Sequence, residues 1–221
     1  MPHPKQGYRD KDGKKIPGVT TIIGRFKESG GLLWWAYAQG QANERGEIGG
    51  LYEKRDEAGD AGTLAHALVE AYIDKTPAPG LPDNEVGRLA IQGFQNYMTW
   101  QQDNGLVVVE QEMGMVSEEY KFAGTPDAVA FNGRGQLALI DWKNSSGIYR
   151  DYLLQLAAYI ILWNENHPDQ PIDGGAHICR FSKTHADFEH RFFENLDDET
   201  EMFLLLRKAY SLDLKLKKRV K

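Results

Sequence analysis

The feature that most constrains the fold of this chain is an apolar run, residues 137–140, that ends in two charged side chains. The run is apolar on both faces, as expected for a central strand that is covered on each side. Asp141 and Lys143 follow two residues apart, so in a strand their side chains point to the same face. Burial of such charges is tolerated where they are paired or hold a metal. The sequence therefore predicts a metal site at this strand end, with an ordinary salt bridge as the alternative.

A second predicted strand, residues 121–131, lies just upstream and ends at the hairpin turn signal NGRG at 132–135. If the last three residues of that signal form the loop, Asp127 lies directly opposite Asp141. Directly opposite residues have Cβ atoms about 4.5–5.5 Å apart, so two carboxylates placed there repel each other unless a cation lies between them. A divalent metal is the simplest resolution.

The length of 221 residues fits one compact unit, and two independent domains would be crowded. We expect a mainly helical part over 1–105, a catalytic sheet core over 106–193, and a C-terminal helix with a basic tail over 194–221. The periodicity predicts helices at 63–74, 85–102, 148–166 and 194–215, and strands at 106–112, 176–181 and 187–193. Residues 19–23 fit a strand or the start of a helix.

Composition narrows the class of protein. The chain has a single cysteine, Cys179, which excludes a disulfide within the chain and a four-cysteine iron–sulfur cluster. No run approaches the 18 or more apolar residues of a membrane span, and the first residues lack the apolar region of a signal peptide. A cytoplasmic protein is therefore expected.

The net charge of −6 disfavours binding to nucleic acid. Several of the positive charges are, however, concentrated at one end of the sequence. Five of the last seven residues, 215–221, are Lys or Arg. This basic tail is either a solvated segment or a contact for phosphate groups.

Four short motifs occur in a characteristic order: Gly62-Thr63-Leu64-Ala65-His66, then Gly124-Thr125-Pro126-Asp127, then Asp141-Trp142-Lys143, and finally Gln155 with Tyr159 four residues later. In this order and spacing they resemble the PD-(D/E)xK nuclease superfamily, and most closely its RecB-like exonuclease branch. Residues 17–23 resemble an N-terminal signature of phage and mitochondrial exonucleases of that branch. A bacterial or phage-infected cell is the source that this resemblance implies. The resemblance spans roughly residues 17–160.

The resemblance implies an α/β fold, in which a central mixed β-sheet is flanked by helices around an αββαβ core with N-terminal helical additions. It implies that Asp127, Asp141 and Lys143 are catalytic. The metal, Mg²⁺ or Mn²⁺, would be held by Asp127, Asp141, His66 and the backbone carbonyl of Trp142.

Other residues are weaker candidates. Glu110 and Glu112 share one face at the end of the 106–112 strand, and either could lie near the metal. Glu110 is predicted as the additional metal ligand or as a group beside the ligands, although a solvated strand end explains it equally well. Gln155 and Tyr159 share one helical face and can donate hydrogen bonds to phosphate oxygens. Arg150 and Lys121 are further candidates for DNA contacts.

The resulting functional hypothesis is a metal-dependent DNA exonuclease that acts on single-stranded or frayed ends in recombination, repair or replication. Trp34 and Trp35 could stack on bases, although core packing is the more common use of adjacent tryptophans. The charged, glycine-rich segment 44–62 could close over a threaded strand. The alternatives are a structure- or sequence-specific endonuclease of the same fold and a catalytically silent nucleic-acid-binding protein.

Overall fold

The computed structural model of the protein describes residues 7–27, 37, 41, 45–46, 49–145, 147–181 and 188–220, with the backbone alone over 49–60. Its helices are α1 (Val19–Arg25), α2 (Gly49–Asp74), α3 (Glu85–Asn104), α4 (Arg150–Asn166) and α5 (Asp197–Arg219). Its strands are β1 (Val107–Gln111), β2 (Met115–Ser117), β3 (Phe122–Gly124), β4 (Ala128–Phe131), β5 (Leu137–Asn144), β6 (Ala176–Phe181) and β7 (Phe188–Phe193).

Five strands form the central sheet in the order β1-β4-β5-β6-β7. All neighbours are antiparallel except β5 and β6, which are parallel because α4 carries the chain back across the sheet between them. Helices α1, α4 and α5 cover one face, and α2 and α3 cover the other. This arrangement confirms the predicted α/β class with a mixed sheet flanked by helices.

Strand β5 is central because both of its faces are apolar and covered. Leu139 packs with Leu156 of α4 on one face, and Ile140 packs with Val69 of α2 and Tyr97 of α3 on the other. Fully burying one aliphatic side chain of this size contributes about 1.5–3 kcal/mol. The strand that carries the charged pair is therefore held firmly on both faces.

The hairpin between β4 and β5 has the predicted loop. The amide of Asn132 donates to the carbonyl of Gln136 at 2.9 Å, and Gly135 adopts the left-handed conformation that favours glycine there (φ 76°). Ala128 pairs with Ile140 in the resulting register. One step further along, Asp127 and Asp141 face each other, as the loop length predicted.

The predicted strand over 121–131 is wrong in one respect, because it is two strands in different sheets. Strand β3 pairs with β2 in a separate two-stranded sheet, whereas β4 joins the central sheet. Pro126 lies in the break between them, where its missing N–H removes a ladder hydrogen bond. Residues 19–23 are helical, since Val19, Ile22 and Ile23 are buried at the spacing of one helical face.

Two predictions concern parts of the chain that are described incompletely or not at all. Trp34 and Trp35 lie outside the described residues. The segment 44–62 is helical from Gly49 onward, within α2. Every helix in the described part of the chain is too short or too polar to cross a bilayer.

Gly124 closes the contact between β3 and the helical layer. A Cβ at this position would lie 2.7 Å from Cε1 of Tyr159 and 3.1 Å from methyl groups of Leu162 and Val19. We therefore predict that Gly124→Ala lowers the free energy of unfolding by about 1–3 kcal/mol through overpacking. Urea denaturation measures this loss. Gly114→Ala is the matched control, because its nearest non-neighbouring atom is 3.7 Å away, and equal effects of the two substitutions would contradict the explanation.

Candidate active site

Asp141 and Lys143 form an ion pair at the end of β5. Asp141 is fully buried, and neither of its carboxylate oxygens accepts a well-directed hydrogen bond from the described residues. The Lys143 ammonium contacts one of these oxygens and also lies 5.3 Å from the centre of the Tyr152 ring. A buried carboxylate with unused acceptor positions is poorly compensated by one cation, so the site has capacity for another positive ligand.

Asp127 brings a second carboxylate to this end of the sheet. Its Oδ2 accepts a hydrogen bond of 2.7 Å from the backbone N–H of Trp142, and its carbonyl accepts one of 3.0 Å from the N–H of Glu112. The Asp127 side chain is thus held against β5 by the residue that separates Asp141 from Lys143. The two carboxylates and the ammonium of the predicted catalytic set are brought together.

His66 reaches the site from α2. Its ring lies edge-on to Trp142, with centroids 5.5 Å apart, and its Nδ1 is 2.9 Å from Oε1 of Glu70. The Glu70 carboxylate also forms a hydrogen bond with Glu112, so Glu112 belongs to the same group as His66 and Glu70. Sequence reasoning considered both Glu110 and Glu112 for this position and chose Glu110.

The acid that follows β1 and joins His66 and Glu70 at this end of the sheet is Glu112, whereas the chosen candidate Glu110 is exposed. A β-bulge between Val108 and Glu110 shifts the register against β4, and Glu110 pairs beside Val129 and is exposed. Glu112 then adopts a left-handed backbone conformation (φ 47°), which is uncommon outside glycine, and turns toward α2. Neither the bulge nor this conformation has a sequence signal.

The electrostatics of the site follow from burial and the mutual proximity of its charges. Burial raises the pKa of Asp141 to about 7, with Lys143 opposing the shift and Asp127 adding to it. Burial alone would lower the pKa of Lys143, but the two nearby carboxylates outweigh it and hold that pKa above its ordinary value. The Lys143 side chain is therefore a persistent cation at neutral pH.

In the group formed by His66, Glu70 and Glu112, burial and neighbouring charges again shift the pKa values. Although burial opposes charge on the imidazole, the hydrogen bond to Glu70 and the charge of Asp127 raise the pKa of His66. The hydrogen bond to His66 lowers the pKa of Glu70, whereas burial and the charge of Glu70 raise the pKa of Glu112. The negative charge of Asp127 thus favours the protonated forms of both His66 and Lys143.

The predicted DNA-contacting residues lie in different environments. Gln155 donates a 2.7 Å hydrogen bond to the hydroxyl of Tyr159, which is buried in the core. Arg150 is exposed at the first residue of α4. Lys121 is engaged elsewhere, in ion pairs with Glu118 and Asp10. The structure therefore leaves Gln155 and Arg150 able to reach a ligand, and it ties Lys121 to the β2–β3 region.

The donor set determines which metal could be held. Over the described residues, no three His, Cys, Asp or Glu side chains converge as a ready-made cage. Mg²⁺ does not require such a cage, since it keeps several waters and binds through one or two carboxylates together with substrate phosphates. Asp127 and the under-coordinated Asp141 fit this pattern, and Mn²⁺ favours the same oxygen ligands.

The comparison with protein families decides the class of the chain. The family model of the PD-(D/E)XK nuclease superfamily matches residues 84–218, which is more than half of the chain. The chain belongs to the PD-(D/E)XK nuclease superfamily. The matched segment contains Asp127, Asp141 and Lys143, and the resemblance predicted from the motifs is confirmed at this level. No curated protein matches the chain.

Several solved structures are similar at low sequence identity. A candidate exonuclease from Eubacterium rectale is 11% identical over 72% of this chain and 68% of that chain, with a TM-score of 0.45. An alkaline exonuclease from Laribacter hongkongensis is 13% identical over 72% of this chain and 92% of that chain, with a TM-score of 0.35. The structure of that exonuclease in complex with dAMP is 13% identical over 75% of this chain and 92% of that chain, with a TM-score of 0.36.

We predict that Mn²⁺ raises the melting temperature of this nuclease-superfamily protein and that Asp141→Asn removes the effect. A ligand that binds only the folded state at about 100 times its dissociation constant stabilises it by about 2.7 kcal/mol. Differential scanning calorimetry with Mn²⁺ and with EDTA measures the difference. Glu110→Gln is the control, because Glu110 is exposed, whereas Asp141 is fully buried. An undiminished Mn²⁺ shift in Asp141→Asn would exclude Asp141 as a ligand.

Proposed function

We propose that this protein hydrolyses phosphodiester bonds in DNA in a reaction that depends on Mg²⁺ or Mn²⁺. The observation that carries the proposal is the convergence of the Asp127 and Asp141 carboxylates with the Lys143 ammonium at one end of β5. Membership of a nuclease superfamily gives this set of charges its interpretation. A buried ion pair that served only the fold would not require a second carboxylate, that of Asp127, to face Asp141 across the hairpin.

Asp127 and Asp141 would hold the metal, with His66 and the Trp142 carbonyl as the further predicted ligands. When bound, the metal supplies Lewis acidity, which activates water for attack and offsets negative charge on the phosphate. The chain prepares for this in two ways. The Trp142 N–H fixes the orientation of the Asp127 carboxylate, and burial of Asp141 keeps competing water away from its oxygens.

Lys143 has an electrostatic role in this proposal. Because the two carboxylates keep it protonated, it donates hydrogen bonds to the attacking water or to a phosphate oxygen and stabilises charge as it develops in the transition state. Its contacts with Asp141 and with the Tyr152 ring limit where the ammonium can lie. A fixed cation of this kind needs little reorganisation during the reaction.

The proposed substrate is a single-stranded or frayed DNA end. The resemblance to RecB-like exonucleases supports this choice, together with a polar group beside the site that can bind a backbone without reading its sequence. In that group, the buried Tyr159 hydroxyl holds the Gln155 amide, and Arg150 lies exposed one helical turn and a half before Gln155. The intact set of Asp127, Asp141 and Lys143 disfavours a silent DNA-binding protein.

Lys143→Ala is predicted to reduce kcat by on the order of 10²-fold or more while the Mn²⁺ affinity stays close to that of the wild type. The reason is that this substitution removes transition-state stabilisation and leaves both carboxylate ligands in place. Single-turnover cleavage of an end-labelled oligonucleotide, together with Mn²⁺ titration calorimetry, separates the two quantities. Lys121→Ala is the matched control and should keep most activity, because that lysine is paired with Glu118 and Asp10. Near-normal cleavage by Lys143→Ala would restrict Lys143 to a structural salt bridge.

Dependence on DNA ends is predicted to appear as a difference in cleavage between linear and circular DNA. Linear single-stranded DNA should be degraded in Mg²⁺, and a covalently closed circle of the same sequence should resist at equal enzyme concentration. EDTA should abolish both reactions. Comparable rates on circle and linear strand would instead favour an endonuclease of the same fold, and absence of cleavage on every substrate would leave a binding protein.

A further inference from the structure

The outward face of α5 carries a row of exposed apolar side chains. The exposed fractions are 47% for Met202, 55% for Leu205, 50% for Leu212 and 58% for Leu216. Together with Ala209, these residues follow each other at intervals of three, four, three and four, which is the heptad spacing of a helix-pairing seam. The row spans two heptads, or about 22 Å of helix.

This row is not needed to hold α5 in the protein. Phe203 on the inner face is buried, and Leu206 and Tyr210 pack against the same cluster. Arg207 adds hydrogen bonds of 3.0 and 2.7 Å to the carbonyl of Lys121. The helix is therefore formed and anchored independently of the seam, so a partner on the outer face would meet a pre-organised surface.

The charges at the two ends of α5 indicate which partner fits this row of apolar side chains. Its first turn contains Asp197, Asp198 and Glu199, and its last turn contains Lys217, Lys218 and Arg219. A second copy of this helix, placed antiparallel, sets each acidic end beside a basic end, whereas a parallel copy sets like charges together. The seam is thus complementary to itself in one orientation only.

Charges that flank the seam agree with the antiparallel orientation. Glu201 and Lys215 lie on the same edge of the row, near its opposite ends. In an antiparallel pair that sets Leu205 against Ala209, Glu201 lies beside Lys215 of the partner subunit. Asp213, on the other edge, is already paired with Arg25 of its own chain.

We propose that α5 is a self-association surface, through which two copies of this protein form a two-fold symmetric dimer with antiparallel helices. Met202 then packs against Leu212 of the partner subunit, and the reverse contact follows from the two-fold symmetry. A seam of two heptads is small beside the 1,200–2,000 Å² of a standard interface, so the dissociation constant is on the order of 10 μM.

Sedimentation equilibrium of the full chain over about 1–500 μM tests the proposal, since this range brackets the expected constant. The wild type should shift from monomer to dimer, and Leu205→Glu should weaken the dimer at least about tenfold. Ile91→Glu is the matched control and should dimerise like the wild type, because Ile91 has a similar exposure of 42% but lies on α3. A wild type that stays monomeric throughout, or a dimer that Leu205→Glu leaves intact, overturns the proposal.

Charge exchange tests the orientation. Glu201→Lys and Lys215→Glu should each weaken the dimer, and the double variant should restore it, because the pair is then re-formed with its signs reversed. Failure of the double variant to recover overturns the antiparallel arrangement. Flotation of the wild type with vesicles of phosphatidylcholine and phosphatidylserine tests whether the apolar row binds a membrane instead. Vesicle binding by a monomer, lost in Leu205→Glu, overturns self-association in favour of a membrane surface.

Discussion

The carboxylate of Asp141 is the charge that the surrounding structure has to accommodate. It is fully buried, and Lys143 alone gives it an opposite charge in direct contact among the described residues. Removing a carboxylate from water is expensive, and one cation without supporting hydrogen bonds repays it incompletely. The arrangement is intelligible if a metal completes the compensation, since the same under-coordinated oxygens are then ligands.

The remainder of the fold fixes this charge in place. Strand β5 cannot move because apolar layers cover both of its faces, and the β4–β5 hairpin holds Asp127 opposite Asp141. Helix α2 adds His66 from the other face of the sheet, where Glu70 orients its ring. Asp141, Lys143 and His66 are thus carried by regular elements, and Asp127 directly precedes β4, where its carboxylate is fixed by the Trp142 N–H.

Sequence reasoning succeeded where a local rule determines the structure. A loop of fixed length sets the register of a hairpin, so the juxtaposition of Asp127 and Asp141 could be predicted from residues 132–135. It failed where tertiary packing decides. The bulge that turns Glu112 inward in place of Glu110 has no sequence signature, and the burial of Tyr159 depends on how α4 packs over Gly124. Heptad spacing of apolar residues is visible in the sequence, but only the structure distinguishes the inner face of α5 from its exposed seam.

The central claim, that the two carboxylates are the ligands of a catalytic divalent cation, is tested most directly by anomalous diffraction from crystals grown with Mn²⁺. The account predicts an anomalous peak within about 2.0–2.4 Å of carboxylate oxygens of both Asp127 and Asp141, in the range for hard cations and oxygen ligands. The peak should disappear in Asp141→Asn crystals. An ion held by Glu70 and Glu112 instead, or no ion at the two aspartates at saturating Mn²⁺, would contradict the account.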